Sequence, residues 1–200
     1  MRNAALIFAL ILSVSCSKDE TIETIATTEL TPQEIADLSV LREEEKLARD
    51  VYLYAYDTHG LTIFNNISQS EQTHMDKVLN LLDAYGLEDS AHPDRGVFNN
   101  PELSELYESL TNKAALSLED ALQVGATIED LDISDINEFL SRTQEPTIIN
   151  VYESLNCGSK NHIRSFNGQI ENLGDTYTPQ FISQDEFEII LSQPSGGCGN

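Results

Sequence analysis

The sequence predicts an all-α protein: a bundle of four long helices, with a short helix inserted between the second and third and another near the C-terminus. Three observations predict it. Apolar residues recur at steps of three and four over four long stretches. Most of these stretches open on a recognisable helix start. A Glu or His stands inside every apolar stripe, and a buried polar group needs a partner or an ion.

The first helix starts at Thr31-Pro32-Gln33-Glu34, with Thr as N-cap, Pro at N1 and Glu at N3 completing a capping box. Its stripe is Ile35, Leu38, Leu41, Glu45, Ala48, Tyr52 and Ala55, and Gly60 follows as the C-terminal stop. The second helix begins between Thr62 and Asn66 and runs to Tyr85-Gly86. Ile67, Met75, Val78, Leu79 and Leu82 share a side with Glu71 and His74. Residues 87–101 read as a linker, and Pro101 opens the short inserted helix, Glu102 to Thr111.

Ser117-Leu118-Glu119-Asp120 caps the third long helix, whose stripe is Leu118, Leu122, Ala126, Glu129, Ile133, Ile136 and Leu140. Gly125 lies inside it. Glycine costs about 1 kcal/mol of helix propensity, so it marks either a close helix approach or a break. Pro146 opens the fourth long helix, Ile148 to about Leu173, with Val151, Tyr152, Leu155, Ser159, His162, Ile163 and Phe166 as its stripe. Ser183-Gln184-Asp185-Glu186 starts a last short helix reaching Leu191.

The termini carry a different message. Residues 1–15 hold one positive charge, a short apolar run and small residues before Cys16, the pattern of a secretory signal peptide. The Ser13-Val14-Ser15-Cys16 junction resembles a lipobox, in which the Cys is acylated and becomes the first mature residue. The following Ser17-Lys18-Asp19-Glu20 resembles an acidic tether that carries lipoproteins to the cell surface. The expected location is the cell envelope: lipid-anchored at the outer membrane, surface-exposed. An ordinary secreted protein that loses Cys16 is the other reading. Residues 16–31 form an acidic flexible tether, 32–191 the helical domain and 192–200 a disordered tail. In an oxidising compartment Cys157 and Cys198 either pair or remain two thiols; spacing does not decide.

The 200 residues suit one domain plus tails. Lys and Arg number 11 against 34 Asp and Glu, a formal net charge of -23, which repels phosphate backbones and argues against nucleic-acid binding. Cations suit such a chain, but a solvated acidic surface attracts them only loosely. Carboxylates inside apolar stripes are the informative ones. Glu71 and His74 are three residues apart on a helix, about 300° of rotation, so they project from one face. With Glu45, Glu129 and His162 on the other three stripes, the donor set is hard oxygen plus imidazole. That set suits iron or manganese rather than the thiolate sites of structural zinc.

Four segments carry a resemblance to a known family. They are Glu43-Glu44-Glu45-Lys46-Leu47-Ala48-Arg49-Asp50-Val51-Tyr52, Ile67-Ser68-Gln69-Ser70-Glu71-Gln72-Thr73-His74, Gly125-Ala126-Thr127-Ile128-Glu129-Asp130-Leu131-Asp132-Ile133 and Gly158-Ser159-Lys160-Asn161-His162-Ile163-Arg164-Ser165-Phe166. They resemble the DUF2202 family, a bacterial and archaeal group of ferritin-like fold, from about residue 36 to residue 191. The resemblance implies a ferritin-like four-helix bundle holding a two-metal carboxylate site, with one Glu from each of two helices and Glu-x-x-His from the other two.

By that resemblance the Glu-x-x-Ala-x-x-x-Tyr of Glu45, Ala48 and Tyr52 is similar to the first ligand helix of rubrerythrin-like proteins. It selects Glu45 over Glu43 and Glu44. Glu71 and His74 match the second helix, Glu129 the third and His162 the fourth. The fourth helix departs from the pattern, having Ser159 where a Glu is expected. Asp132, one turn after Glu129, can supply the missing oxygen. The resemblance implies iron as cofactor, as a di-iron or iron/manganese pair, and an oxidoreductase that oxidises ferrous ion or reduces oxygen or peroxide. The alternative is a non-catalytic surface lipoprotein with a structural, storage or relic metal site. The expected partners are metal ions, the membrane through the N-terminal lipid, and a second copy of the chain.

Overall fold

The computed structural model describes residues 29–198. The leader, Cys16 and the tether up to residue 28 lie outside the described residues. Within them the chain forms six α-helices and no strands: α1 (Pro32–His59), α2 (Thr62–Ala84), α3 (Pro101–Ala114), α4 (Leu118–Arg142), α5 (Pro146–Asn172) and α6 (Gln184–Ser192). No helix among the described residues is long and apolar enough to cross a membrane.

The helix ends follow local chemistry. Thr31 accepts from the Glu34 amide at 3.2 Å, while the Glu34 carboxylate accepts from the Thr31 amide at 2.8 Å. Gly60 takes φ 69° and donates its N–H to the Tyr56 carbonyl at 2.8 Å, ending α1 in a conformation that costs residues with a Cβ. Asn100, Ser117 and Ser183 cap α3, α4 and α6. Two short connections, after Gly60 and after Arg142, fold α2 back along α1 and α5 back along α4. The two pairs then meet through α1 against α4 and α2 against α5. The inserted helix α3 lies across α1 and α4, and α6 against α5.

Gly125 resolves as a close approach. Helix α4 runs unbroken through it, and a Cβ at this position would stand 2.5 Å from the Phe166 ring of α5. The apolar core divides into two clusters. One gathers around Tyr52, Phe64, Leu122 and Phe166. The other gathers around Leu38, Val78, Ile136 and Tyr152. On α1, α2 and α5 the break between them falls at Glu45, at Glu71 and His74, and at Ser159 and His162.

Several other charges of α1 hold the linker. Arg42 makes a two-pronged pair with Asp89, both contacts at 2.9 Å. Glu43 accepts from the Asn99 amide at 2.7 Å and from the Asn100 amide at 3.2 Å. Lys46 and Asp50, both fully buried, pair at 2.5 Å, and Asp50 also accepts from the Gly96 amide at 2.9 Å. At the other end of the chain Cys157 and Cys198 form a disulfide with their Cα atoms 5.5 Å apart, joining the 193–198 segment to α5.

Candidate metal centre

Each ligand-type side chain reaches the middle of the molecule because its helix repeats every 3.6 residues and its neighbours one turn away are core. Glu45 shares the inner face of α1 with Leu41, Ala48 and Tyr52, and Glu71 shares that of α2 with Ile67, Met75 and Val78. Glu129 does so on α4 and His162 on α5, beside Ile133 and Phe166. Glu45, Glu71 and Glu129 are each no more than 2 % exposed.

The five residues form two triads. His74 Nδ1 lies 2.8 Å from Glu71 Oε2 and 3.2 Å from Glu45 Oε2. His162 Nδ1 lies 2.8 Å from Glu71 Oε1 and 3.3 Å from Glu129 Oε2. Glu71 therefore belongs to both triads, one carboxylate oxygen to each. Within each triad the donor atoms all lie within 4.8 Å of one another. The two imidazoles stack with centroids 5.5 Å apart.

This geometry fits a metal pair. Oxygen and nitrogen donors sit roughly 2.0–2.2 Å from a transition-metal ion, so two donors at right angles on one ion are about 3 Å apart. The triads already hold that spacing. Glu45 Oε1 is buried without a hydrogen-bond partner, an arrangement that costs free energy unless a cation occupies the space it faces.

Each imidazole is fixed from behind. His162 Nε2 meets Ser70 Oγ at 2.9 Å. His74 Nε2 lies against bare backbone, and a Cβ on Gly158 would stand 2.5 Å from it. Both rings consequently present Nδ1 inward. Tyr52, fully buried in the core, donates to Glu129 Oε1 at 2.6 Å and orients that carboxylate. Asp132 stands outside the triads. It accepts a short hydrogen bond from Ser159, the residue occupying the position where the four-helix pattern has a Glu. Glu43 is committed to the linker. Glu44 leaves Oε2 buried and unpartnered, and burial, with Asp135 and Glu45 nearby, pushes its carboxyl up to about 8.

Burial raises the Glu45 carboxyl to about 7 against the opposing pull of His74. Burial likewise raises Glu129 to about 7, with His162 pulling it down. Burial and the surrounding Glu45 and Glu129 lift Asp132 well above the carboxylate range. Glu71 differs. Burial alone would raise it, but His162 and His74 on either side hold it well below that range. Burial would lower the imidazoles; Glu71 and Glu129 instead lift His162 to about 10. Glu45 and Glu71 lift His74 well above its ordinary value. With no ion bound, two imidazolium rings flank one ionised Glu71.

Ser70 and Gly158 carry no signal of their own in the sequence, since a Ser beside a Glu and a Gly within a helix both have commoner explanations. Tyr52 had one: it stands seven residues after Glu45, two turns along the same face. Read from the sequence alone, that position suits a plain core residue equally well.

The chain is similar to the uncharacterized protein MJ0754 of Methanocaldococcus jannaschii, with 48% identity over 174 residues, 86% of this chain and 94% of the relative. A crystal structure of that hypothetical protein superposes with a TM-score of 0.83, covering 84% of this chain and 96% of the other. Residues 34–194 match the family described as "Uncharacterized protein domain (DUF2202)", and with nearly the whole helical region inside that match, the chain belongs to the DUF2202 family.

Proposed function

We propose that this protein is a ferritin-like metal-binding lipoprotein whose four long helices bundle around a non-haem di-iron, or iron/manganese, carboxylate centre. Its activity is oxidation of ferrous ion or reduction of oxygen or peroxide. The observation that carries this reading is Glu71, one buried carboxylate shared between two triads that each have their own imidazole. Glu45 and His74 would hold one ion, Glu129 and His162 the other, and Glu71 would bridge them. Iron held there supplies one-electron redox chemistry toward an oxidant at open coordination positions. Tyr52 fixes the Glu129 carboxylate, and Gly158 and Ser70 fix the two rings.

The test is a titration of the metal-free protein with ferrous ion, followed by calorimetry in buffers of different ionisation enthalpy. Binding must displace the protons of His74 and His162, so about two protons leave per pair of ions near pH ~8. More leave below pH ~7, where Glu45 and Glu129 also hold protons, and apparent affinity falls as pH falls. No iron or manganese uptake, or uptake without proton release, sinks the proposal.

Ser159 favours a second reading. Asp132 is engaged by the Ser159 hydroxyl, so the α4–α5 half offers fewer free carboxylate oxygens than the paired Glu-x-x-His pattern. A storage or structural site would then bind ferrous ion without consuming oxygen on exposure to air, and oxygen uptake separates the two.

The anchor rests on the resemblance of Ser13-Val14-Ser15-Cys16 to a lipobox. An acylated Cys16 would hold the domain at the cell envelope, on the outer membrane and facing outward. Labelled palmitate should enter the wild-type chain and not Cys16→Ser; a wild-type chain that takes up no label removes the anchor.

A further inference from the structure

A cavity of ≈ 60 Å³ lies between α1, α3 and α4. Leu103, Leu106 and Leu110 from α3, Leu47 and Ala48 from α1 and Ile128 from α4 line it, and the surface it presents is almost wholly apolar, although Glu44, Thr127, Asp132 and Asp135 also border it. Its lining includes both surface and interior residues: Phe181, 47% exposed, and the half-buried Leu106 border it, and so do Glu71 and Glu129, 2% and 1% exposed and both members of the triads. The helix α3 has no ligand-type residue in the centre, yet it supplies three consecutive turns of leucine to this one wall.

We infer that the cavity is a binding site and passage for a small, uncharged, apolar molecule, opening on the Glu71–Glu129 side of the centre. Size sets the class. A water occupies about 10–15 Å³ on this scale, so the space holds roughly four, or a molecule of two to four heavy atoms. Chemistry sets the rest. A hydrated cation or a polar oxidant entering so apolar a surface gives up most of its hydrogen bonds to water, because the bordering carboxylates turn little polar surface into it. An apolar diatomic or short-chain molecule has none to give up. This inference rests on the proposed metal centre for its consequence, but not for its site.

The experiment uses xenon as probe, since apolar cavities of protein interiors take it up. Crystals of the protein pressurised with xenon should show one atom bounded by Leu103, Leu106 and Ile128. Leu106→Trp, at the half-buried mouth, should abolish it, with the metal content of the protein unchanged. Leu110→Ala enlarges the cavity and should raise xenon occupancy, which keeps the test informative should the Trp variant fold poorly. In ferrous-loaded protein, Leu106→Trp should slow oxidation by dissolved oxygen by about tenfold or more and leave oxidation by peroxide within about twofold. A wild-type cavity that excludes xenon overturns the inference, as does equal slowing of both oxidants. Xenon bound in a protein that takes up no iron or manganese supports the cavity and removes the metal centre, so the two failures are distinct.

Discussion

Replacing Glu71 with Ala should empty both halves of the proposed centre at once. Each of the other four triad residues serves one half: Glu45 and His74 the first, Glu129 and His162 the second. Glu71 alone lends one carboxylate oxygen to each, at 2.8 Å from either imidazole nitrogen. Loss of a group that merely orients a ligand lowers metal affinity about 10–100-fold, so loss of a shared ligand should exceed about 100-fold for the pair. Metal analysis of purified protein should find Glu71→Ala near background, while Glu45→Ala and Glu129→Ala each retain part of the load. Full metal content in Glu71→Ala would refute the bridging arrangement. Glu71→Gln gives the same direction with volume preserved, which separates lost ligation from a collapsed cavity.

The second large effect is expected at Asp130, which faces away from the centre. It is fully buried and accepts four hydrogen bonds. Oδ2 takes the Tyr177 hydroxyl at 2.7 Å and the amides of Gln180 and Phe181 at 2.5 and 3.2 Å; Oδ1 takes the Ile182 amide at 2.9 Å. One carboxylate therefore shapes the connection from α5 to α6 and places Phe181 beside the apolar cavity. Asp130→Ala should destabilise the fold by about 3–5 kcal/mol, since hydrogen bonds to a charged group contribute about 1.5–3 kcal/mol each and several are lost together. Typical substitutions cost about 1 kcal/mol. Urea unfolding measures it. Limited proteolysis should meanwhile cut first within residues 175–183. A loss under about 1 kcal/mol would mean that water replaces the carboxylate.

The all-helical fold was legible because its punctuation is local. Thr31, Ser117 and Ser183 satisfy amides within three residues of themselves, and Pro146 needs only its own ring, so these starts can be read from four-residue windows. The choice of Glu45 over Glu43 and Glu44 rested on the resemblance to a Glu-x-x-Ala-x-x-x-Tyr ligand helix, and rotation agrees with it, since Glu45 shares a buried face with Leu41, Ala48 and Tyr52. What Glu43 does instead was not legible, because its partners Asn99 and Asn100 are more than fifty residues away on a linker without periodicity. The same limit hid the four donors to Asp130, all some fifty residues downstream, and the contact of Ser70 with His162. Periodicity reports which way a side chain faces; it is silent on which loop comes to meet it. Cys157 and Cys198 lay open for the same reason, and their 41-residue separation became a covalent link only in three dimensions.

Gly158 sets a rule for how this protein can vary. The His74 ring fills the space where any other residue would put its first side-chain carbon, so position 158 acts as a gauge with a single permitted size. A descendant that acquires Ala there must move the ring or lose it, and moving it breaks the shared contact with Glu71. Ligands themselves can be exchanged, Glu for Asp or one half for the other, with part of the site surviving; the gauge has no such halfway state. A glycine four residues before the second histidine should therefore accompany the Glu-x-x-His pair. In distant sequences its replacement should coincide with the loss of His74.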